Sequence, residues 1–385
     1  MTKPNSKLPA GGTNFLASIV CLPRARRREC LNESRRLPRM KLIYNSLRHA
    51  NLTHARHLGY LILLVSNIAC AGAGASSDTR PLYAFNQSPL IQIYGLPALG
   101  PAQVLPPGES NLALRLQIAN NFANDQSSSE SIHLDGESHR FTFAWSQGLA
   151  GGMDWGIELP YLTQGGGFLD GFIENWHNTF GLPQGGRTDV PRYQIDYRYT
   201  RNGVNLIDLN HSVSGWSDVR LLAGKQITLD QNSWIQSLAL RASLKLPTGQ
   251  SSELLGSGST DLALWASAVT TFAPYAWQLY GGAGILLMTD GKVLPQQQRH
   301  EVGFGTVGIS RKFFGSLALN VQLDGHSPFY NDTDLRPLGA SSIQGLAGGS
   351  WEVSRHRFLE FSVSEDLAAS TSSDVVFNLS FNALF

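Results

Sequence analysis

Asp170, Glu174 and His177 fall at i, i+4 and i+7 in a stretch where Leu169, Phe172, Ile173, Trp176 and Phe180 recur at helical spacing. On such a helix two carboxylates and an imidazole share the polar face, the residue types of general acid–base work. A catalytic group on a long loop needs rigid support that the preceding Gly165, Gly166 and Gly167 do not supply, so a solvated polar face is the simpler account. The apolar side, Phe172, Ile173 and Trp176, with His177 beside it, is a candidate constriction if the helix folds inward; packing over a barrel mouth is the other reading. A second set is ionic: Arg115, Arg140, Arg198, Arg241 and Lys245 with Asp196, Asp324 and Glu360. Lining a wide passage, these charges would select ions; pairing across it, they would close it. Gly303 to Gly308 matches the dinucleotide fingerprint, but it lies inside an alternating segment and not between a strand and a helix. Small residues in a crowded wall explain it better. Asn331, Asp332 and Asp334 could hold calcium loosely, although an acidic surface loop is the default. No paired-His spacing appears, and neither a metal nor a cofactor is expected.

The elements that must carry these residues are strands. In Val375 to Phe385, the residues Val375, Phe377, Leu379, Phe381 and Ala383 alternate with Asn378, Ser380 and Asn382. That is the pattern of a strand with one face in lipid and one in a lumen, and the chain ends on an aromatic. The same alternation runs through Leu112 to Ile118, Phe141 to Trp145, Leu238 to Leu246 and Leu317 to Leu323. Counted along the chain, such segments number about 14, with 12 to 16 as the range for an even-stranded transmembrane antiparallel β-barrel carrying one short loop helix. Tyr193, Ile195, Tyr197 and Tyr199 alternate with Gln194, Asp196 and Arg198, which predicts the polar set inward. Asn202-Gly203 predicts a two-residue hairpin, assigned by its brevity to the periplasmic side. Residues 123–131 and 164–190 are expected to be long outer loops.

The start of the chain has a different character. Residues 1–39 are Arg-rich without an apolar period and read as a basic leader or a misplaced start. Residues 40–75 read as a signal peptide: positive charge, an apolar run from Leu58 to Ala69, then small residues that suit cleavage. All three cysteines, Cys21, Cys30 and Cys70, precede that cut, so the mature chain would have no disulfide or thiol chemistry. Residues 1–75 hold 12 Lys and Arg against 2 Asp and Glu, which leaves 18 against 27 for the rest. An acidic mature chain argues against nucleic acid as a partner. Residues 76–109, punctuated by Pro81, Pro89, Pro97, Pro101, Pro106 and Pro107, read as a periplasmic lid or a lumen plug, and 110–385 as the barrel.

Two stretches carry resemblances. Asn86 to Leu90, Tyr94 to Pro97, Gly166 to Glu174 and Phe180 to Pro183 resemble a bacterial outer-membrane family catalogued as a domain of unknown function (3187). Leu244 to Gly249 followed by Gly256 to Asp261 is similar to a wider set of outer-membrane barrels for uptake of aromatic and other hydrophobic compounds. The resemblance implies architecture and place: the cell outer membrane, its lipid, and the barrel-assembly machinery engaging the strand that ends in Phe385. The resulting expectation is a porin-like passive channel for small hydrophobic solutes, not an enzyme. A closed structural or surface-interaction barrel and an outer-membrane hydrolase are the alternatives.

Overall fold

The computed structural model describes residues 80–181, 186–230, 233–272, 277–368 and 371–385. The leader, the signal peptide, the three cysteines and residues 76–79 lie outside them. Strand is the dominant regular structure of the described chain. It opens with β1 (Ser110–Gln126), β2 (Glu130–Leu149) and β3 (Met153–Gly165). An insertion follows, with helix α1 (Asp170–Phe180) and the short strands β4 (Asp196–Arg201), β5 (Val204–Leu209) and β6 (Val213–Trp216). The wall resumes with β7 (Arg220–Ile227), β8 (Ser237–Lys245), β9 (Asp261–Phe272), β10 (Trp277–Met288) and β11 (Glu301–Phe313). It ends with β12 (Leu317–His326), the four-residue helix α2 (Arg336–Gly339), β13 (Ser342–Ser354), β14 (Arg357–Asp366) and β15 (Val375–Leu384).

Twelve of the fifteen strands close a ring, β1-β2-β3 and then β7 through β15, every pair antiparallel and β15 returning to β1. The seam is in register from Asn111 opposite Leu384 to Asn120 opposite Val375. Backbone bonds between Ser110 and Phe385 extend it by one more pair. Closure leaves the ring no unpaired edge, which a hydrocarbon environment requires. The count falls within the 12 to 16 expected but below fourteen because β4 and β5 are not wall strands. Their hairpin pairs only with residues 130–135 at the far end of β2. Asn202 and Gly203 do take the positive φ of a two-residue turn, yet Asn202 donates its N–H to Ser129 at the end opposite the chain terminus. The turn therefore lies at the end of the barrel away from the chain terminus. Residues 123–131 are likewise no long loop, since β1 and β2 pair out to Gln126 and Ser131 around a tight turn.

Alternation fixes the two faces. Phe141, Phe143, Trp155, Leu240, Leu264, Phe361 and Leu379 point outward and are exposed, forming an apolar belt around the ring. Gln117, Thr142, Ser243, Asn320, Ser362 and Asn378 point inward and are buried. A belt of that kind suits lipid, not water. The glycine motif at 303–308 lies wholly within β11, as a wall strand. Leu379 sits at mid-strand between Leu116 and Phe361, so Leu379→Arg is expected to destabilise the folded barrel by about 2–4 kcal/mol. Urea unfolding in lipid vesicles measures it, and an unchanged midpoint would contradict the lipid-facing assignment.

Candidate functional site: the lumen and its inner segment

Residues 80–109 carry Pro and Gly at intervals that forbid a regular strand or helix, yet Leu82, Phe85, Leu90, Ile93, Tyr94 and Leu99 are all buried. The segment enters at the end where the chain terminates, with Asn320 donating to the Arg80 carbonyl at 2.8 Å. It climbs β12, exchanging bonds between Leu82 and Gln322 at 3.0 and 3.2 Å. Near the opposite end Asn86 meets His326 at 2.9 Å, and the backbone bends through residues 88–94. It then descends along β7, β8 and β9. Arg220 donates to the carbonyls of Tyr94 and Leu96 at 3.0 and 3.1 Å, and Trp265 and Ser267 to that of Leu99 at 2.6 and 2.9 Å. Arg241 donates to the carbonyls of Pro101 and Gln103 at 2.8 and 2.7 Å. Gly108 reaches the Gly148 carbonyl at 3.1 Å just before β1 begins. Wall side chains thus stand in for the sheet partners that this backbone lacks.

The bend is held by a buried ionic clasp. Lys245 lies 2.6 Å from Asp218 and 3.1 Å from Asp261, bonds Ser257, and donates to the Ile93 carbonyl at 3.2 Å. Asp261 accepts the Gly95 N–H at 2.7 Å. Gly95 is glycine for a reason of space: a Cβ there would stand 2.8 Å from that of Asp261. Above the bend, Tyr94 stacks on Phe329 with ring centroids 5.1 Å apart and meets Tyr330 edge-on at 6.0 Å. The Tyr330 hydroxyl donates to the Leu90 carbonyl at 2.8 Å.

Six of the eight charged residues named from sequence face this interior. Arg115 lies over the Tyr83 ring at 3.9 Å and pairs with Glu158 at 2.9 Å. Arg140 lies over Phe85 at 5.5 Å. Arg241 pairs with Asp154 at 3.3 Å, and Lys245 forms the clasp. Asp324 accepts from Thr306 at 2.7 Å beside Phe85 and His326, and Glu360 accepts from Asn382 at 3.3 Å. The other two do not. Asp196 stands opposite Asp135 and Arg198 opposite His133, on the outward face, where they pair with each other at 3.0 Å. Their neighbours Tyr197 and Tyr199 turn inward, Tyr199 accepting from Gln297 at 2.6 Å. The polarity of β4 is reversed because it lies past the apolar belt, where the outer face meets water and the inner face closes over the mouth.

The four constriction candidates lie on the helix, whose apolar side meets the outward face of the wall. Ile173 packs with Leu169 against Val375, Ile118, Val363 and Phe377, all outward residues of β1, β14 and β15. Phe172 meets Phe377 at 5.8 Å, and Trp176 donates to Glu365 at 3.0 Å. Helix α1, with His177, therefore lies outside the barrel. Glu137 takes the Phe168 N–H at 2.9 Å and that of Leu169, which supplies the cap the helix N-terminus lacks. Asp170 accepts from Asn120 at 3.0 Å and pairs with Arg187 at 3.2 Å. Glu174 accepts from Arg192 at 2.9 Å, which holds its carboxyl below the usual carboxylate range. These contacts tie the two carboxylates to docking the insertion, where an acid–base pair was one reading.

Sequence reading missed Asp154, Glu158, Asp218, Arg220 and Asp261. The alternation in β3 would have found two of them, since Asp154 and Glu158 oppose the outward Trp155, Ile157 and Leu159. Asp218 and Arg220 have no comparable signal, because the chain breaks step between β6 and β7. Removing one member of a buried ion cluster leaves charge uncompensated. Lys245→Met is therefore expected to cost about 3–5 kcal/mol of stability, read from chemical denaturation in micelles; a loss near zero would mean that the clasp is not holding the bend.

No curated protein sequence matches the chain. Among solved structures it is similar to the COG4313 outer membrane channel from Pseudomonas putida F1, at 14% identity and a TM-score of 0.48, over 74% of this chain and 98% of that one. It is also similar to the Ralstonia pickettii toluene transporter TbuX, at 11% identity and 0.35, over 73% and 90%. A third likeness is to the CymD monoaromatic hydrocarbon channel, at 10% identity and 0.35, over 73% and 89%. Residues 60–385 match the family described as protein of unknown function DUF3187, and the chain belongs to that family.

Proposed function

We propose that the chain is a passive outer-membrane channel for small hydrophobic solutes, with its terminal end in the periplasm and the inner segment as the barrier within the passage. The observation that carries this reading is the interior itself. Inside a ring whose wall is largely polar, Phe85, Leu99, Trp265, Tyr280 and Phe304 belong to one connected apolar cluster, which would line the passage wherever the inner segment gives way. An ion pore gains nothing from such a surface, whereas an apolar solute needs it to leave water. The inner segment is held by side-chain bonds to its backbone and by the clasp, not by a sheet ladder. The single carbonyl bonds from charged donors are each worth about 1.5–3 kcal/mol net and can be exchanged one by one.

A second reading, a closed barrel working through its outer surface, is favoured by the fully buried aromatic cluster of Tyr94, Phe329 and Tyr330 above the bend. Deleting residues 84–103 separates the two. For a channel, the shortened protein is expected to show single-channel steps in planar bilayers several-fold larger than the full chain. Expression of the full chain in a porin-depleted Gram-negative host is expected to speed uptake of an aromatic hydrocarbon. A full chain that changes no uptake, with a deletion that conducts no better, would leave the closed barrel standing.

A further inference from the structure

Arg140 is only 2% exposed, and its surroundings leave its charge unanswered. Its Nη1 is buried without an acceptor, and no hydrogen bond or ion pair joins the guanidinium to a described residue. Thr142, two residues on and on the same inward face, has a buried Oγ1 that also lacks a partner. The charged groups acting on Arg140 are Arg220, Glu158 and Asp218. Both carboxylates are committed elsewhere: Glu158 to Arg115 at 2.9 Å and to the Tyr83 hydroxyl at 3.2 Å, Asp218 to Lys245 at 2.6 Å. Arg220 is occupied by two carbonyls of the inner segment and shares the Phe85 ring with Arg140, at 4.9 and 5.5 Å. Three guanidinium groups, Arg115, Arg140 and Arg220, thus gather with Glu158 about the Tyr83 side chain, and only Arg115 pairs with that carboxylate. A buried guanidinium with no directly bonded counter-ion is costly, and an orphaned hydroxyl on the same face adds to the cost.

We infer that Arg140 and Thr142 form a lumen subsite for a solute bearing a carboxylate, with the Phe85 ring bordering its apolar body. The donor set matches that group: a planar guanidinium fork takes two oxygens of one carboxylate, and the Thr142 hydroxyl can add a third bond. A phosphate dianion would call for more donors than these. Arg115, opposite Thr142 in the β1–β2 register and with a side chain 14% exposed, is the solvent-touching end of the row. The inference deepens the channel reading, on which it rests for a route to the site, by naming the class of solute.

Equilibrium dialysis of the full chain in detergent micelles against radiolabelled benzoate tests it. Benzoate is expected to bind saturably, acetate to compete, and benzyl alcohol and chloride not to. Arg140→Met is expected to weaken benzoate binding by about tenfold or more, the loss of a charge-assisted hydrogen bond. Without benzoate it should melt no lower than the parent, since it removes an unpaired buried charge. Benzoate binding indifferent to Arg140→Met, or displaced by chloride as readily as by acetate, would overturn the subsite. Should Arg140→Met fail to fold, Thr142→Val decides, with a several-fold loss expected and no loss fatal. Benzoate binding through Arg140 in a protein that never conducts keeps the subsite and removes the channel; conduction with binding indifferent to Arg140 does the reverse.

Discussion

A backbone without secondary structure can be buried only if something else takes up its hydrogen bonds, and that constraint shapes the interior of this barrel. Gln322, Arg220, Lys245, Trp265, Ser267 and Arg241 all spend side-chain donors on carbonyls between Leu82 and Gln103. In an empty ring the same residues would face water. The wall is therefore written for an occupied lumen, and long donors recur on the strands that the segment descends. The carboxylates follow from the same demand: Asp154, Asp218 and Asp261 neutralise the cations that the carbonyls recruited.

Much of the ring was legible because one simple rule governs it. A strand with lipid on one side and a polar interior on the other must alternate, so Leu379 and Leu240 declare themselves outward and Arg115 and Arg241 inward without further information. The rule fails where its premise does. Beyond the apolar belt there is no lipid, and β4 inverts: its tyrosines cover the mouth while Asp196 and Arg198 meet solvent. Periodicity detects a second environment but cannot say which face owns it. Helix α1 shows the same limit, since Leu169 and Ile173 announce a buried stripe while the surface that buries it lies outside the wall, not within.

The placement of that helix has a local cause. β3 ends at Gly165, and the next strand in its column is β4, so the thirty residues between must leave through the wall line. The exit is tight: a Cβ at Gly166 would stand 1.9 Å from the Tyr193 carbonyl oxygen, so only glycine lets the outgoing and returning chains cross. Once outside, the insertion docks through a buried polar set, Glu137, Asp170, Asn120, Arg187 and Asp374. Charge gathered on an otherwise apolar exterior marks the upper border of the belt, and the exposed Phe168 and Phe172 lie along it.

Arg80 and Glu109 bracket the inner segment at one and the same mouth, the one where Ser110 meets Phe385. A filament that goes in and comes back through a single opening is a bight, not a thread. It can be laid into the cylinder after the seam has formed, or pulled out again, without breaking a covalent bond or parting two staves. Closure of the ring and placement of the segment within it are therefore topologically independent in this molecule, and neither has to wait for the other.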